Sequence, residues 1–184
     1  ATGAEAYQCI LAREEGAVVS PAAGLHFSRE LLTRLQIKGV KKAFVTVHCG
    51  LGAFREIDVE DLTKHRMDSE QMKASPELVE QVNSAKDRGK HVCAIGTSVL
   101  RAITTADSMG GHMKTYDGWT NKFIFPPYDF GVCTDLVTNF HMPYSTMLMM
   151  AAAFGGYDLV MKAYEIAIEE KYRFGCYGDA MLII

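Results

Sequence analysis

The chain has 184 residues, 48% of them hydrophobic, with 19 Lys and Arg against 22 Asp and Glu for a net charge of −3. Such a chain can bury one sizeable core and reads as a single domain over residues 1–184, while its mild acidity excludes attachment to nucleic acid through bulk charge and confines any such role to a local patch. No apolar run reaches the roughly 18 residues of a membrane span, and Cys9, Cys49, Cys93, Cys133 and Cys176 form no C-x-x-C pair, which argues against zinc or dithiol redox sites and for free thiols in a cytoplasmic setting.

The opening "ATGAEAYQCI" carries neither the basic region nor the cleavage pattern of a secretory leader. With no initiator Met, the chain reads as a piece of a longer protein. "YQCILA" (7–12) predicts a strand, "EEG" a turn and "AVVS" (17–20) a second extended piece. Ser28 is placed to cap a helix through "RELLTRLQIK", which Gly39 ends. "VKKAFVTVH" (40–48) alternates β-branched and aromatic residues and predicts a strand that runs into the glycine loop "CGLGAF". Ser75 followed by Pro76 marks the start of a helix through "PELVEQVNSAKDR". Then come a buried strand at "HVCAIG" (91–96) and a helix "VLRAITTADS" capped by Thr97 or Ser98. Weaker strands at 112–116 and 122–125 precede a strand at "VCTDLVT" (132–138), two apolar helices over 145–154 and 157–172, and a last strand in "DAMLII". Alternation of this kind predicts an α/β fold with a largely parallel sheet or a distorted, barrel-like layer.

Polar and glycine-rich residues gather just after the predicted strands: "AAGLHF", "HCGLGAF", "GTSVLR" and "NFHMPYST". In parallel α/β folds, loops at the carboxyl ends of strands converge on one face, so a composite site bringing together His26, His48, Arg101 and His141 is expected there. Arg101 lies in the first turn of its helix, where the dipole disfavours a cation, so with Thr97 it suits an anion, or else it pairs with an acid. His141 sits among Asn139, Ser145 and Thr146 and can act as acid, base or donor; equally, a histidine beside a strand end can simply satisfy a carbonyl. "KHRMDSE" concentrates His65, Ser69 and Glu70, and "YGDAM" puts Tyr177 and Asp179 just before the last strand. The spacings of His and carboxylates fit no metal motif, and no Gly-x-Gly-x-x-Gly follows a strand.

Taken together, "YQCILAREEGAVVSPAAGLHFS", "FVTVHCGLGAFR", "HRMDSE", "AIGTSVLRA", "GWTNKFIFPPYDF", "LVTNFHMPYSTMLMM" and "YRFGCYGDAMLI" resemble the S-adenosylmethionine:tRNA ribosyltransferase-isomerase family. The resemblance runs in order from about residue 7 to the C-terminus. It implies the part of the family's α/β domain that lies downstream of its inserted β-barrel. It also implies transfer of the ribosyl part of S-adenosylmethionine, the co-substrate, to a 7-aminomethyl-7-deazaguanine at the tRNA wobble position. The ribose becomes an epoxycyclopentane ring, giving epoxyqueuosine, and adenine and methionine depart with no metal or other cofactor. In that chemistry His141 or His48 would remove the proton beside the sulfonium, with His26 and Asp179 in the same catalytic group. Asn139, Tyr177 or a hydroxyl would assist adenine. Arg101 and Thr97 would hold a carboxylate or phosphate, and Trp119 would stack on a base.

The chain departs from the family pattern at Asp68 (usually His), Tyr144 (usually Lys), Asp129 (usually Arg), Ala22 (usually Thr) and in "TSVLR". The losses of positive charge at 144 and 129 would weaken a phosphate contact there. A relative that binds S-adenosylmethionine or RNA without this reaction, or that uses another acceptor, is the alternative.

Overall fold

The computed structural model describes residues 3–184. After a short helix α1 (Ala4–Tyr7), a 3₁₀ turn over Ala22–His26 leads into helix α2 (Arg29–Ile37), whose first turn is closed by Ser28 Oγ accepting the Leu31 N–H. The same device starts α3 (Pro76–Asp87), where Ser75 accepts from Leu78, and α5 (Thr146–Gly155), where Ser145 accepts from Leu148. Helices α4 (Thr97–Ala106) and α6 (Tyr157–Glu169) instead follow Gly96 and Gly156, at φ +103 and +84. A side chain at either position would be strained by the left-handed backbone.

Two three-stranded sheets frame the core. In one, β1 (Thr46–His48), β2 (Glu70–Ala74) and β6 (Tyr116–Thr120) pair antiparallel, with β2 in the centre. In the other, β3 (Cys93–Ile95) runs parallel to β7 (Asp135–Asn139), whose other side takes β8 (Ala180–Ile183) antiparallel. A hairpin of β4 (Asp107–Ser108) and β5 (His112–Met113) completes the pairing. Helix α4 contacts β1, β2 and β6 as well as β3 and β7. Leu100 on that helix, Met72 on β2, Leu136 on β7 and Ile124 are wholly buried around it. A second cluster under α5 and α6 holds Phe140, Leu148, Val160 and Tyr164. Burial on this scale, at about 1.5–3 kcal/mol per large aliphatic side chain, fixes α4 as the shared wall of both sheets.

The fold is mixed α/β, and no closed barrel is present among the described residues. The expectation of a largely parallel sheet needs correction: among the described residues only β3 and β7 pair parallel. The physical reason lies in β2 and β6. Buried and exposed residues alternate along β2, the signature of a strand with one solvated face that antiparallel sheets tolerate. Residues 7–12, 17–20 and 122–125 form no strand, and the nine-residue strand expected over 40–48 shrinks to Thr46–His48. Lys41 to Phe44 are exposed, so extended propensity there has no ladder to join.

Candidate functional site

A single stretch, residues 16–26, runs along the carboxyl ends of β1, β3 and β7 and gathers the polar residues there. At one end Gly16, at φ +129, lies against the ring of His48: a Cβ on Gly16 would stand 2.8 Å from His48 Nδ1. Val18 and Val19 then both donate backbone N–H bonds to the Cys49 carbonyl, at 2.9 and 3.3 Å. Burial pushes the Cys49 thiol up, opposed by the Arg101 charge and a hydrogen bond with Ser98, which places Cys49 at the first turn of α4. Gly96 N–H is tied to the Val137 carbonyl, and Ala23 stands 3.6 Å from where a Gly96 Cβ would sit. His26 closes the path on β7, its Nε2 lying 3.0 Å from Asn139 Oδ1.

Asn139 is 2% exposed and fully engaged. Its Nδ2 donates to the Gly175 and Cys176 carbonyls at 3.0 and 3.4 Å, fastening the turn before β8 to the strand. That turn carries Tyr177, whose exposed ring stands 6.1 Å from Tyr7, and Tyr7 Oη accepts the Ser20 N–H. His48, the first turn of α4, His26, Asn139 and Tyr177 therefore lie along one continuous rim.

Other residues singled out from sequence have different surroundings. Arg101, 5% exposed, forms a buried ion pair with Glu70, 4% exposed, and Glu70 Oε1 also accepts the Gly50 N–H at 2.9 Å. The guanidinium is thus already paired and is not free for an outside anion. Asp179 accepts the Arg173 N–H at 2.7 Å and receives Arg173 Nη2 at 3.7 Å, a turn-building arrangement. Ser145 is the cap of α5, and Thr146 and Thr97 are the buried first residues of α5 and α4. His65 packs edge-on against Phe123 at 4.8 Å, Ser69 is exposed, and Trp119 is 63% exposed on β6, outside the contacts that build the rim.

His141 is the largest departure from the expected grouping. Its Nε2 is 2.6 Å from Thr138 Oγ1, and its backbone N–H donates to Tyr164 Oη at 2.7 Å. Thr138 and Asn139 are neighbours on one strand, so their side chains leave opposite faces; His141 sits behind the strand from His26. Burial lowers its pKa from 6.5 to about 4. Because the unfolded state keeps the higher pKa, it binds the extra proton first as the solution is acidified. The contribution of His141 to stability is complete above pH 6.5 and is lost as pH falls toward 4, by about 3 kcal/mol at 1.36 kcal/mol per unit. Urea titrations at several pH values, run beside His141→Gln, check this: the variant should show a shallower loss of stability over that window.

Of the departures, Asp68 has a local partner, and nothing in the structure explains Tyr144. Asp68 pairs with Arg55 at 3.2 Å, and its carboxylate lies over Gly52, where a Cβ would meet it at 2.3 Å. Tyr144 adopts φ +59, and its carbonyl accepts the Ile57 N–H at 2.8 Å. Gly16 and Cys49 belong to the site but are not singled out from sequence. "EEG" reads only as a turn, and contacts across 32 residues (16 to 48) leave no mark in spacing. Among the described residues no group of three His, Cys, Asp or Glu side chains could hold a metal ion, and no helix is long and apolar enough to cross a membrane.

Fold and rim together define a mixed α/β protein whose histidines and amide meet at strand ends beside a helix start. The family model of queuosine biosynthesis proteins matches residues 2–183, and the chain belongs to that family. It is 69% identical over 178 residues to the S-adenosylmethionine:tRNA ribosyltransferase-isomerase of Parabacteroides distasonis, covering 97% of this chain and 51% of that protein. With the protein of the same name from Phocaeicola vulgatus it shares 65% over 181 residues, covering 98% and 52%. The crystal structure of S-adenosylmethionine tRNA ribosyltransferase from Thermotoga maritima superposes with a TM-score of 0.73 at 39% identity, over 88% of this chain and 51% of that one. The chain spans about half the length of the curated relatives it matches.

Proposed function

We propose that this chain forms the α/β part of an S-adenosylmethionine:tRNA ribosyltransferase-isomerase acting on a 7-aminomethyl-7-deazaguanine in tRNA, with adenine and methionine released and epoxyqueuosine formed. The observation that carries this reading is the rim itself. A histidine held at one ring nitrogen by a buried amide stands there beside the start of α4, on the residues that the family resemblance picks out.

The proton beside the sulfonium needs an acceptor, and the geometry favours His26 over His141 and His48. His141 is half-buried, with a depressed pKa and a hydroxyl partner, which makes it a weak base behind the strand. His48 Nδ1 is buried against Gly16. His26 is exposed, and among the described residues no hydrogen bond engages its Nδ1. In the step, the C–H bond adjacent to sulfur breaks, its electron pair stays on carbon as the ylide, and the proton forms an N–H bond on the imidazole. The proton carries one positive charge to the ring, leaving a net-neutral ylide with positive sulfur beside negative carbon and an imidazolium. Asn139 has spent both amide hydrogens on carbonyls, so the donor to departing adenine is better sought in the exposed Tyr177 hydroxyl. The free N–H groups of the first turn of α4, with Ser98, suit a carboxylate such as that of methionine.

Incubating the full-length protein with S-adenosylmethionine, with and without precursor tRNA, tests the reading. Adenine released only when tRNA is present is the expected result. Binding of S-adenosylmethionine with no release, or release with a different acceptor, would overturn it.

A further inference from the structure

We infer that Asn139 is a positioning residue whose amide holds the neutral imidazole of His26 in its Nε2–H tautomer, so that Nδ1 is the ring atom presented to substrate. The amide orientation follows from its partners. Nδ2 faces two carbonyl oxygens, of Gly175 at 3.0 Å and Cys176 at 3.4 Å, which can only accept. Rotating the amide by half a turn would set its oxygen against both of them and leave two N–H groups toward His26. With Nδ2 committed, Oδ1 is the atom 3.0 Å from His26 Nε2. An amide oxygen cannot donate, so the ring nitrogen must, and a neutral imidazole has one N–H to give. The lone pair is therefore on Nδ1.

The bond is made deep in the fold on the Asn139 side: that residue is 2% exposed on the parallel strand β7. Leaving its oxygen unpaired biases the two tautomers on the order of tenfold to a hundredfold. The same amide joins the backbone bonds of Phe140 with Gly175 and Asp179 in tying the 173–179 turn to β7, so one side chain contributes both to the orientation of His26 and to the placement of Tyr177. This role replaces the direct contact with adenine expected for Asn139 from the family resemblance. The assignment rests on the proposed reaction only for the identity of the proton that Nδ1 receives; the tautomer itself stands on geometry.

The test is a long-range ¹H–¹⁵N spectrum of the full chain labelled with ¹⁵N-histidine, recorded where the ring is neutral. The expected result for His26 is a pyrrole-like Nε2 and a pyridine-like Nδ1, with the other tautomer below about a tenth of the population. Two averaged signals, or a proton on Nδ1, would overturn the inference. In Asn139→Ser the Nδ1–H population should rise severalfold; a ring that stays locked there would also overturn it. Should that variant fail to fold, the spectrum of the unaltered chain decides alone. A locked tautomer in a protein that releases no adenine sinks the proposed reaction but not this assignment. Normal adenine release with an averaged ring does the reverse.

Discussion

Glu70→Ala is expected to lower the unfolding free energy by about 3–5 kcal/mol, the cost of leaving a buried charge without its partner. The carboxylate has two tasks that alanine cannot perform. It neutralises Arg101 inside the wall between the sheets, and its Oε1 accepts the backbone N–H of Gly50 at 2.9 Å. Removing it strands a guanidinium that is 5% exposed and opens the glycine loop after β1. The double change Glu70→Leu with Arg101→Met removes both charges at similar volume and should recover most of the loss. Urea-induced unfolding of the three proteins measures this. A Glu70→Ala loss under about 1 kcal/mol would mean that the pair is solvated, and Arg101 would again be available to an incoming anion.

His26→Gln is expected to cut turnover of the full-length protein by about 10²–10⁴-fold, the usual range for a lost general base. The glutamine amide can still donate to Asn139 Oδ1, so the clamp on the 173–179 turn survives. Because the position is exposed, stability should stay within about 0.5 kcal/mol. His141→Gln is the matched control, and its turnover should fall by less than tenfold, with its effect seen in the acid stability instead. The reverse pattern, a large loss at 141 and a small one at 26, would return the proton to His141 and sink the assignment of His26.

Three helices were legible because their starts are written locally, whereas the cap expected at Thr97 or Ser98 is instead Gly96, with no side-chain bond. Ser28, Ser75 and Ser145 each sit one residue before a helix and accept the N–H three residues on. Strands were less so. "EQMKA" looks like the end of a charged turn, yet it is the central strand β2, because its glutamate meets an arginine 31 residues further along the chain. That compensation has no local signature. The rim was partly legible: glycines, histidines and hydroxyls after apolar runs do mark strand ends, and His26, Asn139 and the start of α4 meet there. What spacing could not convey is direction. Thr138 and Asn139 differ by one residue and by a whole face of the sheet, which separates His141 from His26. Nor could it tell Asn139 the donor from Asn139 the clamp, since that depends on two carbonyls 36 and 37 residues away.

The two small sheets carry a further consequence, for how this polypeptide behaves in solution. Among the described residues the outer strands β1, β6, β3 and β8 each have a strand neighbour on one side only, and such rims are templates for accretion of foreign strands and the start of aggregates. At three to five residues each, they are short enough to blunt that hazard without removing it. How these borders are covered therefore bears on the tendency of the chain to associate.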